Sequence, residues 1–562
     1  MKGELLADHV KSDIWDLDLN YAGENNVTSF FSSNANIHSY PAKAVPEMIN
    51  SLLINLKTHY NVRTVLDPFL GTGTVGLESK VLGLDFYGSD LNPLAVLLSK
   101  VKMLAIKNTD YIGHQITEFM KKLNMSNSEG RAPYVIEKFE NIDFWFKKNN
   151  IIELSFVKSE INWFLKKRTK KYKETFALIL LTAFSSTIRS VSLTRNGEFK
   201  LYKMSPSEIE RFNVNAINVF KNKIKNLLEL LEITNKQYNK QTISEIHLSN
   251  AKSLFYLENK KIDLVLTSPP YGDSKSTVAY GQFSKLSLQW MKDLMQVHLG
   301  INVYAENCDE HLLGGKNSDF NLNEEVILTS KTLNDLIVEM QTLTKNKEDS
   351  LKKILNELSD IMINTRLNLQ TIQVVENNEL LKLITERIRL DIYRKIKNTK
   401  SHLPDKRAKM IARKESARVL EDLKCSNKKV KYRRLNQIVD KLPFVKETIK
   451  RKIKSQPKRI NEVINFFKDL YKVVVETDRH LEKNGLQAWI VGHRTVLGEI
   501  NVNMVNVLKE WFEHMNYKQV TSLQRQYSFK RMPHHINSTA TRNDEIKTMM
   551  QEHILVVQKN NH

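Results

Sequence analysis

Short apolar runs alternate with longer amphipathic stretches along this chain. Four short runs begin at residues 64, 85, 262 and 487, and they stop at or beside Asp67, Asp90, Pro269 and Gly492, respectively. Runs of this length, bounded by turn residues, are typical of buried strands. Strands that alternate with helical patterns predict an α/β fold.

Two long segments have the 3.6-residue period of helices instead. Residues 104–240 contain the apolar run 176–184, which fits a core helix, and a capping box that begins at Ser205. Residues 296–470 contain regularly spaced apolar positions between 351 and 362, which predict an extended amphipathic helix.

The carboxyl-terminal part returns to the strand pattern. Residues 502–515 predict a helix, and residues 519–529 and 552–558 predict paired final strands. Before them lies a strongly basic part of the second long segment, where Pro404, Pro443 and Pro457 are expected to interrupt the helices.

The strand that begins at Ile262 stops on two prolines, and an aromatic ring follows them. Pro269 and Pro270 have no backbone donor, so the sheet cannot continue past them. The hydroxyl of Ser268, the carbonyl of Pro269 and the ring of Tyr271 are thereby presented at the carboxyl end of a strand, where open α/β sheets bind ligands. These groups suit a planar molecule with an exocyclic amine, and the alternative is a strand that simply ends in a proline turn.

The strand at 64–67 ends in Asp67 and Pro68 and turns through Gly71 and Gly73. Glycines allow a tight turn and a close approach of the backbone to a ligand. The next strand ends in Asp90, whose carboxylate suits a ribose diol or, alternatively, a helix cap. Residues 71–76 also satisfy the dinucleotide fingerprint of dehydrogenases. The interposed residues 67–69 disfavour that alternative, since a dehydrogenase strand enters its glycine turn directly.

The two motifs together, residues 67–74 (Asp-Pro-Phe-Leu-Gly-Thr-Gly-Thr) and 267–271 (Thr-Ser-Pro-Pro-Tyr), resemble those of the DNA amino-methyltransferases. This family methylates the exocyclic amine of cytosine or adenine with S-adenosyl-L-methionine. The resemblance implies a Rossmann-like, seven-stranded sheet, mostly parallel with one antiparallel strand, here with two large helical insertions. Serine at position 268 is commoner among the N4-cytosine enzymes, because adenine enzymes usually have Asp or Asn there.

The resemblance also implies roles for individual residues. The catalytic residues it implies are Ser268, Pro269, Pro270 and Tyr271. The cofactor-binding residues it implies are Tyr40, Pro41, Asp67, Pro68, Phe69, Gly71, Gly73, Thr74, Asp90, Leu91, Asn92, Asn250 and Ala251, with Asn250 standing where the family usually has an acid. The DNA-binding residues expected are Tyr280, Phe283, Lys428, Lys429, Arg433, Arg434, Lys530 and Arg531.

The domain organisation expected from these matches divides the catalytic domain into three parts. It comprises a donor-binding half (1–103), a catalytic half (241–295) and closing strands (471–562). A helical insertion (104–240) and a basic helical insertion that engages DNA and recognises the target (296–470) separate them.

Charge supports a polyanionic partner. The net charge is +22, and residues 387–459 contain 26 Lys or Arg against 7 Asp or Glu. Such a surplus suits the phosphates of double-stranded DNA, and the alternative is a solvated helical face. No signal-peptide core or membrane-length apolar run is present, so a cytoplasmic location is expected.

We therefore expect an enzyme that flips a cytosine out of duplex DNA and methylates its N4 amine in line, without a metal. Carbon-5 methylation is disfavoured because neither Cys308 nor Cys425 follows a proline, as the nucleophile of that reaction normally does. The alternatives are an N6-adenine or RNA amino-methyltransferase and an inactive, basic nucleic-acid-binding protein. A cognate restriction endonuclease or other defence-system subunits are further partners left open.

Overall fold

The computed structural model describes most of the chain. The described residues are 14–17, 19, 38–41, 44–123, 134–195, 200–238, 241–270, 279–304, 308–315, 329–367, 378–399, 403, 405–424, 441–492, 494–497, 499–526 and 551–560.

A seven-stranded sheet forms the centre of the protein, in the spatial order β3-β2-β1-β4-β5-β9-β8. Its strands are β1 (Thr64–Asp67), β2 (Asp85–Asp90), β3 (Ser244–Leu248), β4 (Ile262–Thr267), β5 (Leu481–Gly492), β8 (Tyr517–Gln526) and β9 (Gln551–Lys559). The first five pair in parallel, and β9 runs antiparallel to both of its neighbours. The predicted α/β fold with one antiparallel strand is therefore confirmed. A separate hairpin joins β6 (Arg494–Val496) to β7 (Ile500–Val502).

The strand order reverses beside β1. The chain moves outward from β1 through β2 to β3 and then returns to the other side of β1 as β4. Such a reversal leaves a crevice at the carboxyl ends of the two central strands, because their connections leave in opposite directions. The crevice therefore lies between residue 67 and residue 267.

Alternating side chains of the strands supply two separate cores. Leu264, Leu266 and Ile490 point into the core on one face of the sheet, while Val265 and Trp489 point into the core on the other. The first face is covered by helices α1 (Pro46–Tyr60), α2 (Thr74–Val81), α3 (Pro93–Lys102) and the first insertion, and by α10 (Tyr280–Leu299).

The first insertion is helical, as predicted. Its helices are α4 (Thr109–Lys122), α5 (Ile142–Trp145), α6 (Lys148–Lys166), α7 (Lys170–Val191), α8 (Pro206–Arg211) and α9 (Ala216–Gln237). The run 176–184 is buried within α7. The capping box at Ser205 is present at the start of α8.

The second insertion is an arm built on two long antiparallel helices, α11 (Lys331–Leu367) and α14 (Leu442–His480). At 1.5 Å per residue each long helix spans about 55 Å. Near the sheet, Leu336 of α11 and Phe466 of α14 belong to the core of the second face, where α15 (Met504–His514) also lies.

The far end of the arm has a core of its own. Ile354 of α11 and Ile449 of α14 belong to this third core, which also includes side chains of α12 (Asn378–Thr399). Helix α13 (Asp405–Lys424) packs on α12. The arm therefore has hydrophobic packing at both of its ends.

Pro443 and Pro457 do not interrupt α14, contrary to the expectation from the sequence. Pro443 lies in the first turn of the helix, where no intrahelical donor is needed. Pro457 lies inside the helix, whose flanking residues Ile449 and Ile460 are buried, and this burial offsets the lost hydrogen bond. Pro404 lies outside the described residues. Within the described residues, no helix combines the length and the apolar character that crossing a membrane requires.

Candidate active site at the carboxyl edge of the sheet

A cleft of about 750 Å³, part of it open to solvent, lies at the carboxyl edge of β1, β2 and β4. Most residues that line it come from the predicted site. The lining residues are Tyr40, Pro68, Phe69, Gly71, Asp90, Leu91, Asn92, Asn250, Ala251, Ser268, Pro270, Tyr280, His311, Leu312 and Leu313. The structure therefore brings the glycine loop and Ser268 to one cavity.

The glycine loop is held close to helix α3. Gly71 and Gly73 have φ angles of +52° and +73°, in the left-handed region that favours glycine. A Cβ at Gly73 would lie 2.9 Å from Ser99 Oγ. Ser99 Oγ also donates a 3.1 Å hydrogen bond to the carbonyl of Gly71. The loop backbone is consequently fixed at the floor of the cleft, and Gly73 also precedes the first residue of helix α2.

Asp90 is a half-buried carboxylate at the end of β2. It accepts hydrogen bonds from the backbone N–H of Gly71 (2.9 Å) and of Asn92 (2.8 Å). Burial raises the pKa of Asp90 to about 6, although these backbone hydrogen bonds act in the opposite direction. Asp90, the alternative candidate for a helix cap, does not cap α3. The cap is Asn92, whose side chain accepts a hydrogen bond from the N–H of Leu94 at the start of this helix.

Asp67 connects the two central strands behind the cleft. Its Oδ1 accepts hydrogen bonds from Thr267 Oγ1 on β4 (2.6 Å) and from the N–H of Phe69 (3.1 Å). The side chain is only 3% exposed, and this burial raises the pKa of Asp67 to about 7. The bond to Thr267 holds the glycine loop and the Ser268 turn in register.

Tyr40 reaches the cleft from the amino-terminal segment and is held by buried polar groups. Asn92 Nδ2 donates to Tyr40 OH (3.0 Å) and to Ser284 Oγ on α10 (2.7 Å). Two residues earlier, His38 Nε2 lies 2.7 Å from Ser185 Oγ on α7. Burial, with the nearby Asp90 carboxylate, raises the pKa of Tyr40, so its hydroxyl stays protonated.

The predicted catalytic residues occupy the end of β4. Ser268 and Pro270 line the cleft, and Pro269 between them is buried. Tyr271 lies outside the described residues. Among the predicted cofactor-binding residues, four are buried beside the cleft without lining it: Pro41, Asp67, Gly73 and Thr74.

The residues expected to contact DNA have different positions. Tyr280 lines the cleft. Phe283 is 2% exposed, and its ring packs 5.7 Å from that of Tyr40 and 4.0 Å from the guanidinium of Arg189. It therefore forms part of the core beneath the cleft and has no face open to a base, contrary to the prediction. The remaining expected residues, Lys428, Lys429, Arg433, Arg434, Lys530 and Arg531, lie outside the described residues.

Residues 308–315 form one wall of the cleft, which no sequence motif indicated. His311, Leu312 and Leu313 of this segment line the cavity. The Asp309 carboxylate accepts from the N–H of Gly281 (2.8 Å) at the start of α10. The segment has no apolar periodicity that would predict its position. Contacts with residues distant in the sequence place it beside the cleft.

Asp469 of the long helix α14 supports the same wall. This buried carboxylate accepts from the N–H of Gly314 (3.0 Å) and from Lys252 Nζ (2.8 Å). The arm is thus bonded directly to the 308–315 wall and to Lys252, two residues after Asn250. A second cavity adjoins the first and shares Leu91, Asn250, His311 and Leu312 with it.

The cleft offers chemistry suited to a nucleoside beside a reacting amine. Asp90, Asn250 and Ser268 contribute polar groups to the cleft. Phe69, Leu91 and Pro270 give the cleft apolar walls. A carboxylate and an amide can serve a ribose and a purine edge, while a serine hydroxyl can accept a hydrogen bond from an amine.

Comparisons with known proteins agree with this chemistry. Residues 47–295 match the family model "D12 class N6 adenine-specific DNA methyltransferase". The chain is 35% identical over 322 residues to the type II methyltransferase M.MvaI of Kocuria varians, which covers 53% of this chain and 67% of that protein. It is 31% identical over 90 residues, 16% of each chain, to the type II methyltransferase M.MjaII of Methanocaldococcus jannaschii. No solved structure matches the chain.

Proposed function

Because the chain belongs to the DNA amino-methyltransferases, we propose that it transfers a methyl group from S-adenosyl-L-methionine to an exocyclic amine in duplex DNA. The observation that carries this proposal is the shared cleft of the glycine loop and the Ser268 turn. The relatives are named as type II methyltransferases, so we also propose that the enzyme acts in a restriction–modification system.

Two target atoms are candidates. The matching family model favours the N6 amine of adenine. Ser268 favours the N4 amine of cytosine, because its place in the Thr-Ser-Pro-Pro-Tyr motif resembles that of cytosine enzymes. The family match is the broader evidence, since it covers residues 47–295, so adenine is the first candidate and cytosine the second.

The residues of the cleft fit the methyl donor. Asp90 has a carboxylate at the end of a strand, where it would accept hydrogen bonds from a ribose diol. Asn250 and Leu91 would contact the adenine, and Tyr40 and Phe69 would cover the donor. Once bound, the donor supplies an electrophilic methyl group on its sulfonium.

The Ser268 turn would prepare the amine for attack. The nitrogen lone pair of a base amine is delocalised into the ring, which makes it a weak nucleophile. Hydrogen bonds from the amine to Ser268 Oγ and to the Pro269 carbonyl would favour a tetrahedral nitrogen with a localised lone pair. Fixing the two reactants in line contributes most of the rate enhancement, because correct orientation lowers the activation barrier by roughly 7–11 kcal/mol.

The base would reach the cleft by flipping out of the duplex, with Tyr271 and Tyr280 beside it. Stacking on an aromatic ring would offset part of the unstacking cost of roughly a few kcal/mol. In this proposal, residues 1–103, 241–295 and 471–562 form the catalytic domain. Residues 104–240 form a helical insertion, and residues 296–470 engage DNA.

Identification of the modified nucleoside tests the proposal. Plasmid DNA from a host without methyltransferases would be incubated with the protein and S-adenosyl-L-methionine, digested to nucleosides and analysed by mass spectrometry. We expect N6-methyldeoxyadenosine, whereas N4-methyldeoxycytidine would establish the second candidate. Absence of any methylated nucleoside would leave a nucleic-acid-binding protein without activity and refute the proposed function.

A further inference from the structure

Helix α13 is packed along a narrow seam of small side chains. Among its residues whose side chains are described, the buried ones are Ala408, Ala412 and Ser416, spaced four apart and therefore on one face. The helix packs against α12, which in turn contacts α11 and α14. Small side chains at a contact reduce the distance between two helix axes. The rest of the described circumference of α13 is exposed or half-buried.

Polar bonds fix the hairpin that α12 and α13 form. Tyr393 OH of α12 donates a hydrogen bond to the Asp405 carboxylate at the start of α13. Lys397 Nζ donates to the carbonyl of Leu403 in the connection (3.2 Å). Lys441, just before α14, forms an ion pair with Asp391 of α12 (3.3 Å). The hairpin is thus attached to the amino-terminal end of α14, and these bonds fix the orientation of α13.

The outward face of α13 has an apolar centre. At 100° per residue, Met410, Lys414 and Ala417 lie opposite the buried seam, and all three are exposed. Met410 is 63% exposed. A face that served only to solvate the arm would have no need of an exposed methionine at its centre.

Cations border this centre on both sides. Arg407 and Arg418 lie on one flank and Arg413 on the other, all exposed. Residues 406–418 contain six Lys or Arg and one acidic residue, Glu415. Glu415 pairs with Arg418, whereas Arg407 and Arg413 have no ion-pair partner within the described part of the chain. Two flanking guanidinium groups are therefore available for anions.

We propose that α13 enters the major groove of duplex DNA. A helix with its side chains is about 10–12 Å wide, and the groove is about 12 Å wide. Arg407 and Arg413 would contact phosphates on the two sides of the groove. Met410, Lys414 and Ala417 would face base edges, where an apolar side chain contacts the thymine methyl and a lysine contacts guanine. This inference rests on the proposed function and deepens it, because it identifies the element that reads the DNA.

The salt dependence of DNA binding tests the phosphate contacts. The double variant R407A/R413A would be compared with wild type by fluorescence anisotropy of a labelled duplex over a series of KCl concentrations. Two lost phosphate contacts should reduce the slope of log K against log [KCl] by about 1.8. The matched control is R63A/K261A, two exposed cations at the opposite, amino edge of the sheet, and its slope should equal that of wild type. An unchanged slope in R407A/R413A would overturn the proposal.

Two further measurements test entry into the groove. Substitution A417E places a carboxylate against the base edges and should weaken binding at least tenfold, with an unchanged circular dichroism spectrum. On a plasmid fragment that the enzyme methylates, bound wild-type protein should protect guanine N7, a major-groove atom, from dimethyl sulfate. The A417E variant should lose this protection. Normal affinity and protection in A417E would refute groove entry. Methyl incorporation by wild type at low salt tests the proposed function separately, because it requires no particular helix to read the DNA.

Discussion

Substitution of Asp67 by Asn should stabilise the protein while it weakens the cofactor site. The Asp67 carboxyl is buried, and it accepts hydrogen bonds from Thr267 Oγ1 and from the N–H of Phe69. Asparagine has nearly the same shape, and its Oδ1 can accept both hydrogen bonds. The substitution therefore removes a charge from a buried position and leaves the connection between β1 and β4 in place.

The size of the stability difference between wild type and Asp67→Asn follows from the pKa of Asp67. Burial raises the pKa of Asp67 from 3.8 to about 7, so the folded protein holds a proton that the unfolded chain has released between these two pH values. Unfolding then releases a proton, and stability falls as the pH rises from about 4 to about 7. The fall is about 1.4 kcal/mol per pH unit. Asp67→Asn lacks this term, so its stability advantage should grow by about 3 kcal/mol between pH 5 and pH 8.

The assay is urea unfolding of the protein without cofactor, followed by tryptophan fluorescence at both pH values for wild type and variant. The affinity for S-adenosyl-L-methionine, measured by calorimetry at pH 8, should fall in the variant, because a carboxylate beside a cationic donor is lost. A stability difference that is the same at pH 5 and pH 8 would show that the Asp67 carboxyl has an ordinary pKa and would refute the reasoning.

Three further outcomes are expected. Gly73→Ala should lower stability by about 1–3 kcal/mol in thermal unfolding and weaken cofactor binding, because φ is +73° and the new Cβ would lie 2.9 Å from Ser99 Oγ; a silent substitution would contradict the close approach. Asp469→Ala should raise KM for the methyl donor with little change in kcat, because it releases the Gly314 wall of the cleft, and an unchanged KM would argue against that support. Phe283→Ala should cost about 3–5 kcal/mol of stability without changing the affinity for duplex DNA below its melting temperature, whereas a weaker affinity in the folded variant would restore a DNA contact for this ring.

The strands and the glycine loop could be predicted from the sequence because their signals are local. Residues 262–267 form β4, as the apolar run indicates, and the run beginning at 487 forms the second half of β5. The left-handed φ at Gly71 and Gly73 agrees with the turn that the glycines imply. The structure extends β5 back to Leu481, where the apolar pattern is weak and pairing with β4 holds the strand.

The parts that could not be predicted depend on contacts distant in sequence. Phe283 belongs to an aromatic motif near the catalytic strand, and only the packing of Tyr40 and Arg189 around it shows that it is buried. His311 lines the cleft because hydrogen bonds of Asp309 and Asp469 hold its segment there. The bond between Asp469 and the N–H of Gly314 joins residues that are 155 positions apart in the sequence. Pro457 remains helical because tertiary packing on both sides of it outweighs a local preference.

The central claim is that the Ser268 turn carries the chemistry while the glycine loop binds the donor. The most direct measurement compares single-turnover methyl transfer and the dissociation constant for S-adenosyl-L-methionine in Ser268→Ala and wild type. We expect the variant to transfer methyl groups more slowly by a factor of roughly 10²–10³, the usual effect of removing one hydrogen-bonding group that acts on the reacting atoms. We also expect a dissociation constant within about a factor of two of wild type, because Ser268 is proposed to bond to the target amine and not to the methyl donor. Methyl transfer at the wild-type rate would contradict the claim.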